Sequence, residues 1–131
     1  STPVAQELRK HMAPERVLQI DNGIDTDIFK RQMPMPEAKA ALGLPADRPL
    51  VGFVGRLSQE KGLPYLLQAL TALDPAVMAV IVGEGDMRAP LEAQIQSSGL
   101  AERVRLLGNR RDTPLIYSAL DAFVLPSTRE A

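Results

Sequence analysis

Leu50-Val51-Gly52-Phe53-Val54-Gly55 is the stretch on which the fold turns. Five residues without polar alternation, closed by a glycine, are what a strand covered on both faces requires. The chain then repeats that grammar. Leu63, Leu66, Leu67 and Leu70 recur at helical spacing, and Ala76 to Val82 is a second continuous apolar run, ended by Gly83-Glu84-Gly85. Leu91 and Ile95 mark a helix closed by Gly99, Val104 to Leu107 is a third run ended by Gly108, Leu115 to Leu120 a helix, and Ala122 to Leu125 a fourth run stopped by Pro126. Strand, glycine and helix in alternation predict an α/β unit, an open parallel sheet with crossover helices. Ligands of such sheets sit outside the carboxyl ends of the strands.

Toward the N-terminus the pattern loosens. Ala5 to Met12 reads as a short amphipathic helix carrying the single histidine, His11, on a surface position. Val17-Leu18-Gln19-Ile20 reads as a strand stopped by the turn signal Asn22-Gly23. Residues 30–49 carry Pro34, Pro36, Pro45 and Pro49 and read as a proline-rich connector. Its one short helix runs from Glu37 to Leu42, with Gly43 in the stop position. No second core is indicated, so residues 1–131 are expected to form one domain.

Composition narrows the chemistry. The 131 residues hold 15 Lys and Arg against 16 Asp and Glu, a net charge of −1, which gives no whole-domain attraction to nucleic acid or anionic membrane. Zero cysteines exclude disulfides, thiolate catalysis and Cys-ligated metals, and one histidine excludes a His-rich site. No apolar stretch is long enough to span a membrane, and there is no secretory leader pattern, so a soluble, cytoplasmic setting is expected. Membrane association of a full-length parent stays open.

The strand ends collect the polar residues that chemistry would need. Gly55-Arg56-Leu57-Ser58-Gln59-Glu60-Lys61-Gly62 combines a glycine at a strand end, a following helix start and two cations. Arg can grip phosphate oxygens bidentately and Lys acts as a point charge, so the pair suits a diphosphate; solvated loop cations are the plain alternative. Gly83-Glu84-Gly85-Asp86-Met87-Arg88 starts like a dinucleotide fingerprint but has Arg88 in place of the third glycine, and no P-loop motif is present. A tight strand-to-helix turn with Asp86 as helix cap explains that stretch equally. Gly108-Asn109-Arg110-Arg111-Asp112 adds two arginines, one of which could face a ligand, with a solvated pair or a salt bridge to Asp112 as the plain alternatives. Glu130 lies just past the last strand.

Taken together, five segments resemble the C-terminal, donor-binding domain of GT-B fold glycosyltransferases of family 4, also called group 1. They are Ile20-Asp21-Asn22-Gly23-Ile24-Asp25 with Phe29, Val51 to Leu57 with Glu60-Lys61-Gly62, Val82-Gly83-Glu84-Gly85, Val104 to Gly108, and Asp121 to Ser127. The resemblance implies a Rossmann-like half of a GT-B enzyme that binds a nucleotide-diphosphate sugar and transfers the sugar with retention, using no cofactor and usually no metal. It implies Arg56 and Lys61 as the cations at the diphosphate, Gly55 as a backbone approach to the phosphates, and Glu130 as a contact to the donor sugar. These three charged residues would carry catalysis. Gly83, Glu84 and Gly85, and Leu107, Gly108, Asn109 and Arg110, would hold the nucleotide.

Two departures accompany the resemblance. The family's second glutamate, seven residues beyond the first, would fall past Ala131, and Ala131 replaces the usual glycine. The acceptor-binding N-terminal domain is also missing. The chain is therefore expected to be a donor-domain fragment, truncated at its C-terminus and inactive alone, with that missing domain as a partner. Another GT-B enzyme, such as a nucleotide-sugar epimerase or a glycogen-synthase-like protein, and a non-catalytic α/β phosphate-binding module are the competing readings.

Overall fold

The computed structural model describes residues 17–19 and 33–124. Strands β1 (Val17–Gln19), β2 (Leu50–Val54), β3 (Met78–Val82), β4 (Val104–Gly108) and β5 (Ala122–Val124) form one sheet. Between them lie helices α1 (Met35–Ala41), α2 (Leu63–Ala72), α3 (Arg88–Ser97) and α4 (Thr113–Ala119), and a 3₁₀ turn at Gln59–Lys61. The order across the sheet is β1-β5-β2-β3-β4. Strands β5, β2, β3 and β4 run parallel, as the alternating pattern predicts; β1 adds an antiparallel edge beside β5 that the pattern could not orient. The chain moves outward from β2 to β3 to β4 and then returns across β2 to β5. That reversal is the topological switch point at which ligands of open α/β sheets collect.

Continuous apolar strands imply a cover on both faces, and both covers are present. Val51, Phe53, Ala79, Ile81, Val104 and Ala122 pack under α2 and α3 with Leu63, Leu66, Leu67, Leu70, Leu91 and Ile95. Leu50, Met78, Val80, Val82 and Phe123 pack on the other side with Ala38 of α1 and Ile116, Ala119 and Leu120 around α4. Alternate residues of β2 and β3 thus enter opposite layers. Each fully buried leucine of α2 contributes about 1.5–3 kcal/mol of apolar transfer energy.

The stretch read as a connector does more than connect. Helix α1 packs on α4 and brings a lysine into the core: Lys39 is 3% exposed, and its Nζ donates to Asp121 Oδ2 at 3.0 Å and to the Arg48 carbonyl at 2.7 Å. The same carboxylate oxygen accepts from the Leu50 N–H at 2.8 Å, while the Asp121 N–H donates to the Leu50 carbonyl at 2.7 Å. Burial alone would push the Asp121 carboxyl up. The Leu50 hydrogen bond and the Lys39 ammonium overcome it and hold the carboxyl below its ordinary value. Proline content dominated the sequence reading of this region and hid the amphipathic face of α1. The reading of Ala5–Met12 as a helix, His11 and the Asn22-Gly23 turn lie outside the described residues.

Two expectations follow. The Lys39–Asp121 pair stabilises fully above the unfolded carboxylate range near about pH 4 and is lost as pH falls through the lower folded value. Lys39→Met should therefore cost about 3–5 kcal/mol at neutral pH by taking the Lys39 ammonium away from a buried carboxylate. Urea denaturation at pH 7 and pH 3 checks this, and the penalty should shrink at pH 3. Gly83 has φ +139°, and a Cβ there would stand 1.7 Å from the Gly55 carbonyl oxygen. Gly83→Ala should accordingly destabilise by about 3 kcal/mol, whereas Gly99→Ala, with open space around it, should cost about 1–2 kcal/mol for its left-handed backbone alone. Paired melting curves measure the difference.

Candidate functional site

The carboxyl ends of β2, β3 and β4 are stitched by backbone hydrogen bonds beyond the regular strands. The Gly55 N–H donates to the Val82 carbonyl at 2.9 Å, and the Gly83 N–H to the Gly108 carbonyl at 2.8 Å. The Leu57 N–H donates to the Glu84 carbonyl at 3.0 Å, and the Leu57 carbonyl accepts from Met87 at 3.0 Å. Gly85 takes part through close approach, since a Cβ there would lie 2.3 Å from the Leu57 oxygen. On the β4 side the ladder passes from Ile81–Leu106 to Val82–Gly108, so Leu107 is an extra, bulged residue. Bulges of this kind re-aim the chain next to functional sites.

These loops bound an open cleft of about 430 Å³ lined by Gly55, Arg56, Glu84, Gly85 and Asn109. Five of the residues singled out from sequence are thereby brought together. The others stand differently. Gly83 is buried and serves the approach of the β2 and β3 ends. The Leu107 side chain packs on the α4 side of the core, which leaves only its backbone for a ligand. Gly108 lies beneath the Glu84 carboxylate, 3.0 Å from where its Cβ would be. Lys61 is half-buried at the end of the 3₁₀ turn and does not line the cleft. Glu130 falls outside the described residues.

The arginines sort themselves by partner. Arg110 makes a bidentate ion pair with Asp112, Nε to Oδ1 at 2.9 Å and Nη2 to Oδ2, and this hydrogen bonding holds the Asp112 carboxyl below its ordinary value. The salt-bridge alternative is thus the arrangement observed for Arg110. Arg88 donates to Glu84 at 2.7 Å and to Glu92 at 3.4 Å. Arg56 is exposed and makes no hydrogen bond or ion pair with any described residue. It is the cation that lines the cleft, and the Glu84 charge beside it is offset by Arg88.

Asp86 is not the helix cap. α3 begins after Met87, with no side-chain cap bond, because the Met87 N–H is already satisfied by the Leu57 carbonyl and the Arg88 N–H by that of Gly85. Sequence reasoning also passed over Arg88 as a neutralising partner, although the Glu84-Arg88-Glu92 spacing of four residues signals it. Among the described residues no three His, Cys, Asp or Glu side chains gather around a metal position. No helix among them is long and apolar enough to cross a membrane.

Residues 34–131 match the family model of the glycosyl transferases group 1. The chain belongs to this family. It is 36% identical over 98 residues to the 2-deoxystreptamine glucosyltransferase of Streptomyces kanamyceticus, an alignment covering 70% of this chain and 25% of that protein. To the lipopolysaccharide core biosynthesis mannosyltransferase LpsB of Rhizobium meliloti it is 32% identical over 117 residues, covering 83% and 33%. Among solved structures, Anabaena Alr3699/HepE in complex with UDP-glucose superposes with a TM-score of 0.65 at 35% identity, over 78% of this chain and 29% of that one. The C-terminal domain of LpcC from Francisella tularensis shares the fold at a TM-score of 0.68 and 24% identity, covering 83% and 61%. The fold matches part of GT-B glycosyltransferases. The chain spans about a quarter to a third of the length of these curated relatives.

The paired carboxylate in the cleft has a measurable consequence. Arg88→Ala exposes the Glu84 charge to any anion held by Arg56 and should weaken inorganic diphosphate binding about 2–5-fold at low salt, less at high salt. Calorimetry at two ionic strengths reads it, and Glu84→Gln in the same chain should restore the affinity.

Proposed function

We propose that this chain is the donor-nucleotide-binding part of a retaining glycosyltransferase of family 4, one that transfers a hexose from a nucleotide-diphosphate sugar to an acceptor. The observation that carries the reading is Arg56, exposed and without a described protein partner, in a cleft it shares with Gly55, Glu84, Gly85 and Asn109 at the carboxyl ends of β2, β3 and β4. A guanidinium there can grip diphosphate oxygens bidentately. Lys61, on the turn that follows, adds a second charge at the same strand end. Glu84 and Asn109 line the part of the cleft toward β3 and β4, where the nucleoside would lie, and Glu130 would meet the donor sugar.

The chemistry suits these groups. Cleaving a sugar–phosphate bond builds positive charge on the ring and negative charge on the departing diphosphate. Arg56 and Lys61 oppose that developing negative charge from fixed positions, which acts on the transition state more than on the ground state. Relatives named for glucosyl, N-acetylglucosaminyl and mannosyl transfer all align with this region. That breadth supports a role in holding the diphosphate end common to such donors. The acceptor-binding part is assigned to chain outside these 131 residues, so the chain alone should bind nucleotide without turnover.

The test is calorimetry of the chain with UDP, GDP, ADP and inorganic diphosphate. One nucleoside diphosphate should bind best, and Arg56→Ala and Lys61→Ala should each weaken it about 10–100-fold, the scale of a lost charged hydrogen bond. Binding that survives both substitutions unchanged would remove the diphosphate assignment.

A further inference from the structure

Among the described residues, Ser58 Oγ is the buried side-chain polar atom that has no hydrogen-bond partner. Buried hydroxyls nearly always find one, and orphans concentrate where a ligand completes the set. Ser58 occupies the N-cap position of the 3₁₀ turn with extended backbone, φ −115° and ψ 163°, the geometry in which serine caps a turn, yet its side chain makes no cap bond. The Lys61 N–H that it would cap donates instead to the Ser58 carbonyl at 3.1 Å. The hydroxyl is therefore left over by the fold.

Its place in the chain says what could use it. Ser58 stands between Arg56 and Lys61, and Leu57 beside it is fixed by backbone bonds to Glu84 and Met87 and by a fully buried side chain. Ser58 does not itself line the cleft; it follows the cleft-lining Arg56 by two residues, with Leu57 between them turned into the core. We infer that Ser58 is a further ligand-binding residue: its hydroxyl rotates about χ1 and donates to an oxygen of the diphosphate held by Arg56 and Lys61. This rests on the donor-nucleotide reading above. A neutral donor adds to oxyanion binding without adding charge, so its contribution is short-ranged and insensitive to salt, unlike that of Arg56.

The inference predicts opposite signs for stability and binding. Ser58→Ala removes an unsatisfied buried hydroxyl, so the free chain should melt at the same or a higher temperature. Affinity for inorganic diphosphate and for UDP should fall about tenfold, by the same factor at low and high salt, while any binding of uridine, which has no phosphate, is unchanged. Ser58→Thr, which keeps the hydroxyl, should retain the affinity. Calorimetry and melting curves on wild type and both variants provide the readouts. Diphosphate affinity unchanged in Ser58→Ala overturns the inference while leaving the donor reading intact. A melting temperature several degrees lower in Ser58→Ala also overturns it, because the hydroxyl would then have a structural partner. Wild-type chain that binds neither UDP nor diphosphate removes the reading on which the inference stands.

Discussion

The carbonyl of Gly55 occupies the space that a side chain at position 83 would fill, and the candidate site depends on that contact. Because residue 83 has no Cβ, the ends of β2 and β3 close on each other, Leu57 exchanges hydrogen bonds with Glu84 and Met87, and Gly85 slides against the Leu57 backbone. Arg56 is thereby projected from a segment fixed at both ends. A ligand that meets it meets a cation already oriented, which lowers the ordering cost of binding. The glycines serve the site by what they let the backbone do, and only Gly55 and Gly85 line it.

A second constraint lies on the opposite layer. Strand β5 has only three residues, and its pairing with β2 is short. The Lys39–Asp121 pair, with the two hydrogen bonds between Asp121 and Leu50, fixes where β5 starts relative to β2. That tie is made by a lysine on a helix more than eighty residues earlier in the chain. Replacing the buried pair with an apolar one could leave stability intact, since buried ion pairs often do no better than hydrophobic isosteres. What such a replacement would lose is the directional tie between the two strands.

The alternation of apolar runs with glycine-ended loops carried the parallel sheet and its three crossover helices, because fully covered strands read as continuous apolar runs. It could not orient β1, whose three residues carry no directional information. It placed all five cleft residues in the glycine-bearing loops at the strand ends. The misses share one cause, competition between local and distant partners. Asp86 looks like a cap because serine-like and acidic residues cap helices locally, but a carbonyl from the neighbouring loop reached the Met87 N–H first. Arg110 takes the pairing with Asp112, two residues on, that the sequence offered as an alternative. Lys39, not singled out in the sequence, meets Asp121 only in the fold.

That competition explains why the location of unpaired charge is the informative feature here. Arg48 and Arg103 direct their guanidinium donors to carbonyls of the turn before β3, and burial, followed by repulsion from Arg48, lowers the Arg103 pKa. Arg88 and Arg110 spend theirs on carboxylates. Of the arginines without a described partner, Arg105 is exposed on the edge strand and Arg111 on the loop after it, and neither lines the cleft. Arg56 alone of the described arginines combines an uncommitted guanidinium with a cavity wall. A fold whose purpose was only to be stable would gain by pairing that charge as it pairs the others; an anion-binding fold must leave it open, and the net charge of −1 shows that carboxylates enough to pair it were available in the chain.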